Sequence, residues 1–485
     1  MAKAPKAPGN NGASTPVMLF EALDAKQKTV TDSGWRAQVL VGSLTAATML
    51  VGAAKVRPWL DTLAKDPARH AEGLGRVAEG LARAGHDAEA RAAIADCREA
   101  QKRAGLNGEA GTLVALAQAF AYDALGDVQA VEAALAEAEA YARREKHNPR
   151  QPWSHLVRGY ARLGRDAALA AHFKSLNDRH LSFEDADAAQ AVVAGAVKRG
   201  DVAGYKAWRA RLDVFSGYET HEALKGSALA AVKAGHGEAL FAILSDFADH
   251  PSYSDYVADA VCLTLAGEGH LPLARRILEA MTAQAPRPSE ILKSLQRMLA
   301  APGAARGAQE GALSGSGESF IRAFRARHAV DPTHTLALAS QREAALRAGL
   351  STPSAEPAQD LVALGAGLAR VGEAARGVAL IDEAVQHLAA LKGGEKSTGL
   401  RFVGPLLTGH GFDAQALFVL RKMSTKFHRT ELAKLLSLNY VSANDFVGAV
   451  AVVGLGEDRP LSQAMRLSDA LSHAAGQHRW FKNFA

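Results

Sequence analysis

Glycine recurs as Gly85, Gly126, Gly164, Gly200, Gly235 and Gly269, spaced 41, 38, 36, 35 and 34 residues apart, each near the middle of a helix-rich stretch. A drifting period of this size marks a repeated helix pair. One such pair cannot bury its apolar face alone, so consecutive pairs must stack. The spacing therefore predicts an all-α chain, an α-solenoid of stacked antiparallel helix pairs. Composition agrees: hydrophobic residues make up 48% of the chain but aromatics only 6%, so the core must be built from Ala, Leu and Val. The abundant Ala, Leu, Arg and Glu are the strongest helix formers. Almost no run alternates Val, Ile or Thr with polar residues, so strands are not expected.

The first clear unit spans Leu74 to Ala100. Val77, Leu81 and Ala84 form an apolar stripe, Gly85-His86-Asp87 turns the chain, and Ala90, Ile94 and Cys97 form the stripe that follows. Glycine suits the left-handed conformation that ends a helix in a tight turn. The scheme repeats with Leu116, Phe120 and Ala124 before Gly126, with Leu156, Tyr160 and Leu163 before Gly164, and with Val257, Val261 and Leu265 before Gly269. It returns at Gly372 and Gly411, and Asn444 takes the turn position in a last copy, since Asn tolerates the left-handed region. Five residues after each turn glycine lies the crossing point of the two helices, where a small residue is expected.

Breaks in the pattern predict the organisation. Residues 1–32, rich in Ala, Pro, Gly, Asn and Lys, read as a flexible tail without a signal sequence. Residues 33–300 form an N-terminal set of repeats. Residues 301–360 read as a Gly/Ala/Ser-rich linker with helices at Ser319 to Val330 and Leu336 to Leu350, and residues 361–485 form C-terminal repeats ending in an aromatic tail. Ala37 to Ala54 lacks any charge, but Gln38, Ser43, Thr45 and Thr48 dilute it. It is expected to be a buried first helix that caps the N-terminal end of the stack, not a membrane span.

A glycine, a small residue five positions on and another seven further, as in Gly85/Ala90/Cys97, Gly269/Ala274/Met281, Gly372/Gly377/Ala384 and Gly411/Ala416/Met423, resembles the tetratricopeptide and related helix-pair repeats. The Trp-Leu-Gly-Tyr signature of their first helix is absent. Val131, Leu169, Tyr205 and Leu240 replace the small residue, and most copies lack the closing proline. The resemblance is to a TPR-like superfamily, over about two thirds of the chain. It implies a concave surface that binds a protein or peptide.

Catalytic and cofactor signatures fail on inspection. Gly393-Gly-Glu-Lys-Ser-Thr398 puts Glu395 where a phosphate loop needs glycine, and a carboxylate there repels phosphate. Gly365-Ala-Gly367 with Gly372 has the wrong last spacing for a dinucleotide loop, and its glycines suit close helix packing instead. No His pair with a nearby Glu makes a helical zinc site. Cys97 and Cys262 sit in apolar helical runs and read as small core residues of a reducing compartment. No catalytic residue, cofactor or metal is expected.

A net charge of +5 over 485 residues is mild. Basic clusters such as Arg143-Arg144 and Arg322 to Arg327 read as solvated helix ends. The tail concentrates Trp480, Phe481 and Phe484 in a chain poor in aromatics; it either caps the last helix pair or docks in a partner. Together with Tyr122, Arg158 and Tyr160 on first helices, these are the residues expected to bind a partner. The sequence thus predicts a non-enzymatic, cytoplasmic scaffold or adaptor for a protein or peptide partner in a larger complex. The alternative is an RNA-binding helical repeat.

Overall fold

A computed structural model of the protein describes residues 15–146, 150–175, 183–212, 224, 227–245, 255, 257–284, 289–300, 317–456 and 459–476. Among them every regular element is a helix. The chain divides into two compact units: one joins the residues up to Leu163 with those from Thr425 onward, and the other runs from Gly164 to Ser424. These cuts differ from the composition breaks near residues 301 and 360.

The first unit begins with α1 (Val17–Gln27), α2 (Ser33–Val51), α3 (Ala53–Leu63), α4 (Pro67–Arg83), α5 (Asp87–Ala104), α6 (Gly108–Ala124), α7 (Val128–Arg144) and α8 (Arg150–Arg162). Local chemistry sets several starts. The Asp32 carboxylate accepts the Trp35 N–H at 2.9 Å, and Asp66 accepts those of Ala68 and Arg69 at 3.0 and 3.1 Å, with Pro67 filling the first helical position. Such caps satisfy donors that the helix itself leaves open.

The second unit holds α9 (Asp166–Ser175), α10 (Phe183–Arg199), α11 (Val202–Leu212), α12 (Gly237–Ser245), a π turn leading into α13 (Leu263–Gly267), α14 (Leu271–Gln284) and α15 (Glu290–Leu299). It continues with α16 (Gly317–Val330), α17 (Pro332–Gly349), α18 (Glu356–Arg370), α19 (Ala374–Ala390), α20 (Gly393–Gly409) and α21 (Asp413–Lys422). The chain returns to the first unit as α22 (Lys426–Ser442), α23 (Phe446–Gly456) and α24 (Pro460–Ala474). Both helices expected between residues 301 and 360 form. α16 buries Phe320, Ile321 and Phe324 and packs on α13 and α18, so this part of the stretch belongs to the core of its unit. Residues 301–316 lie outside the described residues.

One turn geometry recurs throughout. Gly85, Gly126, Gly164, Gly200, Gly235, Gly269, Gly372 and Gly411 all have φ between 65° and 101°, and Asn444 has φ 58°. The residue after the glycine donates its N–H to the carbonyl five positions back, as His86 does to Leu81 at 2.9 Å and Phe412 to Leu407 at 2.9 Å. This closes a Schellman cap. The crossing position five residues on is buried in every copy, as Ala90, Val131, Leu169, Tyr205, Leu240, Ala274, Gly377, Ala416 and Ala449. Small size is not required there, because Tyr205 and Leu240 fit as well as Ala90. Among the described residues only α18 and α19 approach so closely that glycine is needed on both: a Cβ on Gly377 would lie 2.3 Å from the Gly365 carbonyl oxygen.

In the first unit, α4 packs on α5 and α6 on α7, while the first helices α2, α4, α6 and α8 lie side by side. That row extends through both ends of the chain, because α22 packs on α24 and α24 on α2. α24 has no following helix of its own among the described residues; α1 lies against it and also touches α23. The last described helix is thus paired with the first described one. Leu19 and Leu23 of α1 are fully buried, Phe20 stacks on Trp59 of α3 with centroids 4.8 Å apart, and the Trp59 indole donates to Asp24 at 2.7 Å. The hydroxyls of Ser43 on α2 and Ser468 on α24 lie 2.7 Å apart in the buried contact between those helices. The expectation that the helix around Ala37 to Ala54 caps an end is corrected: α2 has α24 on one flank and α4 on the other, which is why Leu40, Leu44 and Ala47 are fully buried. No described helix is long and apolar enough to cross a membrane.

If α1 is a core element, Leu23→Ala will destabilise the first unit by about 2–5 kcal/mol, the usual cost of a cavity at a buried leucine. Chemical denaturation measures this; a cost near that of a surface substitution would make α1 a loosely held arm instead.

Candidate functional site

α4 shows how the row of first helices is used. Its flank toward α2 is trimmed to glycine: a Cβ on Gly80 would sit 2.6 Å from the Thr48 Cβ, and one on Gly73 would meet Leu44 and Leu63. Its flank toward α6 is trimmed likewise, with Gly75 facing Ala117. Between these flanks runs a charged stripe of Arg69, Glu72, Arg76, Glu79 and Arg83, alternating in sign at spacings of three and four. Such spacing puts all five on one helical face.

The stripe is layered. Glu79 is fully buried, and the Glu72 side chain is 6% exposed, whereas those of Arg69, Arg76, Arg83 and Arg162 are 35, 20, 35 and 29% exposed. Glu79 accepts from the Arg83 Nε at 2.9 Å and from Arg162, which reaches it from the end of α8. Arg76 is paired with both carboxylates, at 3.6 Å to Glu72 and 3.8 Å to Glu79, and Arg69 donates to Glu72 at 3.1 Å. The Thr45 hydroxyl of α2 lies 3.3 Å from the other oxygen of Glu79. Two guanidiniums lie over the Phe120 ring of α6, that of Arg162 at 4.0 Å and that of Arg76 at 5.4 Å from its centre. Cation–π contact of this kind strengthens where water is excluded. Four arginines over two carboxylates leave an excess of two positive charges, and the arginines are the groups that reach solvent. Between α22 and α24, by contrast, bridging charges balance: Arg466 pairs with Glu431 at 2.8 Å and with Asp469 at 3.7 Å, and Lys434 with Asp469 at 3.9 Å.

Burial alone pushes the Glu79 carboxyl up, but Arg162, Arg76 and Arg83 together outweigh it and hold the group below its ordinary value. Burial pulls the Arg162 guanidinium down, opposed by the same carboxylate. Further along the face, Glu109 of α6 is bonded by Gln151 at 2.9 Å and lies 3.1 Å from the His155 ring, whose pKa burial lowers against the pull of Glu109.

The residues expected to bind a partner are scattered by the fold. Arg158 is half-buried on α8, one turn before Arg162, and its charge acts on His155. Tyr122 is 7% exposed, packed under Arg98, and Tyr160 is 2% exposed with its hydroxyl donated to Glu139; both tyrosines are core residues with almost no surface to offer. Trp480, Phe481 and Phe484 lie outside the described residues. The α4 stripe carried a legible signal, the strict alternation of Arg and Glu at helical spacing, but such a pattern ordinarily marks a solvated face. What the sequence hid is that α8 folds back to add Arg162 above Glu79.

The near-miss motifs are structural. Gly393 begins α20, and Glu395 accepts the Ala355 N–H at 2.8 Å, just before α18. Cys97 and Cys262 are free and buried, and burial pushes both thiols up to about 12. The Cys97 Sγ lies 3.1 Å from the Ala71 carbonyl oxygen, in a core cluster with Val114. Among the described residues no three His, Cys, Asp or Glu side chains gather as a metal site requires. The chain matches no protein-family model and no curated protein in sequence.

Glu79 supplies a pH test. Its folded carboxyl titrates below the unfolded value of 4.5, so its ionisation stabilises the first unit above that pH, and the contribution is lost as pH falls through the folded pKa. Glu79→Gln is expected to lower stability at neutral pH by about 3 kcal/mol, because three guanidiniums lose their shared partner. Denaturant titrations across the acid range should show a flatter stability curve for the variant than for the parent; parallel curves would mean that Glu79 carries no such charge.

Proposed function

We propose that the chain is a non-enzymatic scaffold or adaptor that binds a protein or peptide partner through the exposed side of its first helices, as part of a larger complex. In this reading the helix pairs form a tetratricopeptide-like solenoid. One observation carries the reading: a row of first helices whose buried flanks are trimmed to Gly and Ala, while the remaining side of α4 holds long polar side chains fixed in place by carboxylates beneath them. Rigidly held donors suit recognition, since little rotamer freedom is left to lose on binding. Two buried, unpaired thiols suit a reducing compartment, and the cytoplasm is the proposed location.

The test is affinity capture of the full chain from its source organism after chemical cross-linking, with and without nuclease. A protein whose cross-links fall on α2, α4, α6 and α8 and survive nuclease supports the reading. Nuclease-sensitive capture replaces it with RNA binding, and cross-links confined to the outer helices α5 and α7 remove the proposed surface.

A further inference from the structure

We infer that the guanidinium row of Arg69, Arg76, Arg83 and Arg162 is a docking site for an acidic segment of a partner protein. The inference rests on the proposed reading and gives the partner its chemistry. The layering carries it. Glu72 and Glu79 lie under the arginines with 6% and no side-chain exposure, whereas the four arginine side chains keep 20–35% of theirs, so an incoming ligand meets the arginines first. A guanidinium has five N–H donors, and a carboxylate can take two of them at once. Arg76 and Arg162 are held further by contact with the Phe120 ring, so their forks are set before any ligand arrives. The row has two more cations than anions and spans α4 and the end of α8. A chain of Asp or Glu side chains at extended or helical spacing matches such a row.

Charge complementarity chooses the occupant, and stacking separates the two polyanions. Single-stranded nucleic acid binds where aromatic rings stand open to bases. Here the one ring in the row, Phe120, is 6% exposed and covered by guanidiniums. Side-chain carboxylates need no open ring.

Fluorescence anisotropy tests this on the full chain with three short labelled probes: polyglutamate, a neutral peptide of equal length and single-stranded RNA. Polyglutamate is expected to bind most tightly. Arg69→Gln combined with Arg83→Gln should weaken it about tenfold or more while binding of the neutral probe stays unchanged, at a temperature where circular dichroism shows the variant fully folded. Lysine at both positions keeps the charge without the fork and should fall between. Equal binding of polyglutamate and the neutral peptide overturns the inference, as does tighter binding of RNA or indifference to the double glutamine variant. Should cross-links from a captured partner remain on α4 and α8 in that variant, the acidic docking site fails while the scaffold reading stands.

Discussion

A helix lined with alanine and glycine is stable only while another helix lies against each lined flank. α4 meets this condition on three sides, with α2, α6 and α5. The gain per residue is small, since an alanine buries little area, but close approach multiplies van der Waals contact along the whole length. The same rule applies where the N-terminal and C-terminal parts of the first unit meet. A terminal first helix would leave a small-residue flank bare, and α2 and α24 avoid this by lying against each other. Among the described residues no second helix follows α24, and α1 lies against it instead. The apolar Leu19, Phe20 and Leu23 on α1 are thereby accounted for, as is the position of Trp59 over α1.

The α4 stripe shows how electrostatics follows from that packing. Because both flanks are taken up by helix contacts, charges can stand only on the remaining side, and the spacing of three and four keeps them there. Glu79 is low enough on that side to be sealed by its neighbours. An isolated carboxylate could not remain ionised in such a place; three arginines make it the preferred form. The cost of burying the carboxylate is offset by fixing the cations above it. Rigid donors at a surface are thus a by-product of stabilising a charge inside.

Much of this was legible from the sequence. Each turn glycine, and Asn444 in its place, was identifiable because a residue in the left-handed region closes the helix and few side chains tolerate it. The buried positions five residues later were identifiable for the same reason, since the turn sets the phase of the next helix. Size at that position was not legible: Tyr205 and Leu169 are as fully buried there as Ala90, which a single-position rule does not foresee. Contacts between residues far apart in the sequence left no local trace. Nothing near Ser43 points to Ser468, and nothing near Glu79 points to Arg162. Tyr122 and Tyr160 were misplaced for a related reason. A polar aromatic reads as surface until the carboxylate that satisfies it, Glu139 for Tyr160, is brought beneath it by the fold.

The pairing of α1 with α24 sets an order of events during biosynthesis. Ribosomes add roughly 5–20 residues per second, so hundreds of residues separate the emergence of these helices by tens of seconds. Throughout that interval α1 has no α24 to pack against. α1 thus leaves the ribosome hundreds of residues before the helix it packs on, and a nascent chain that stalls before residue 460 leaves that contact unmade.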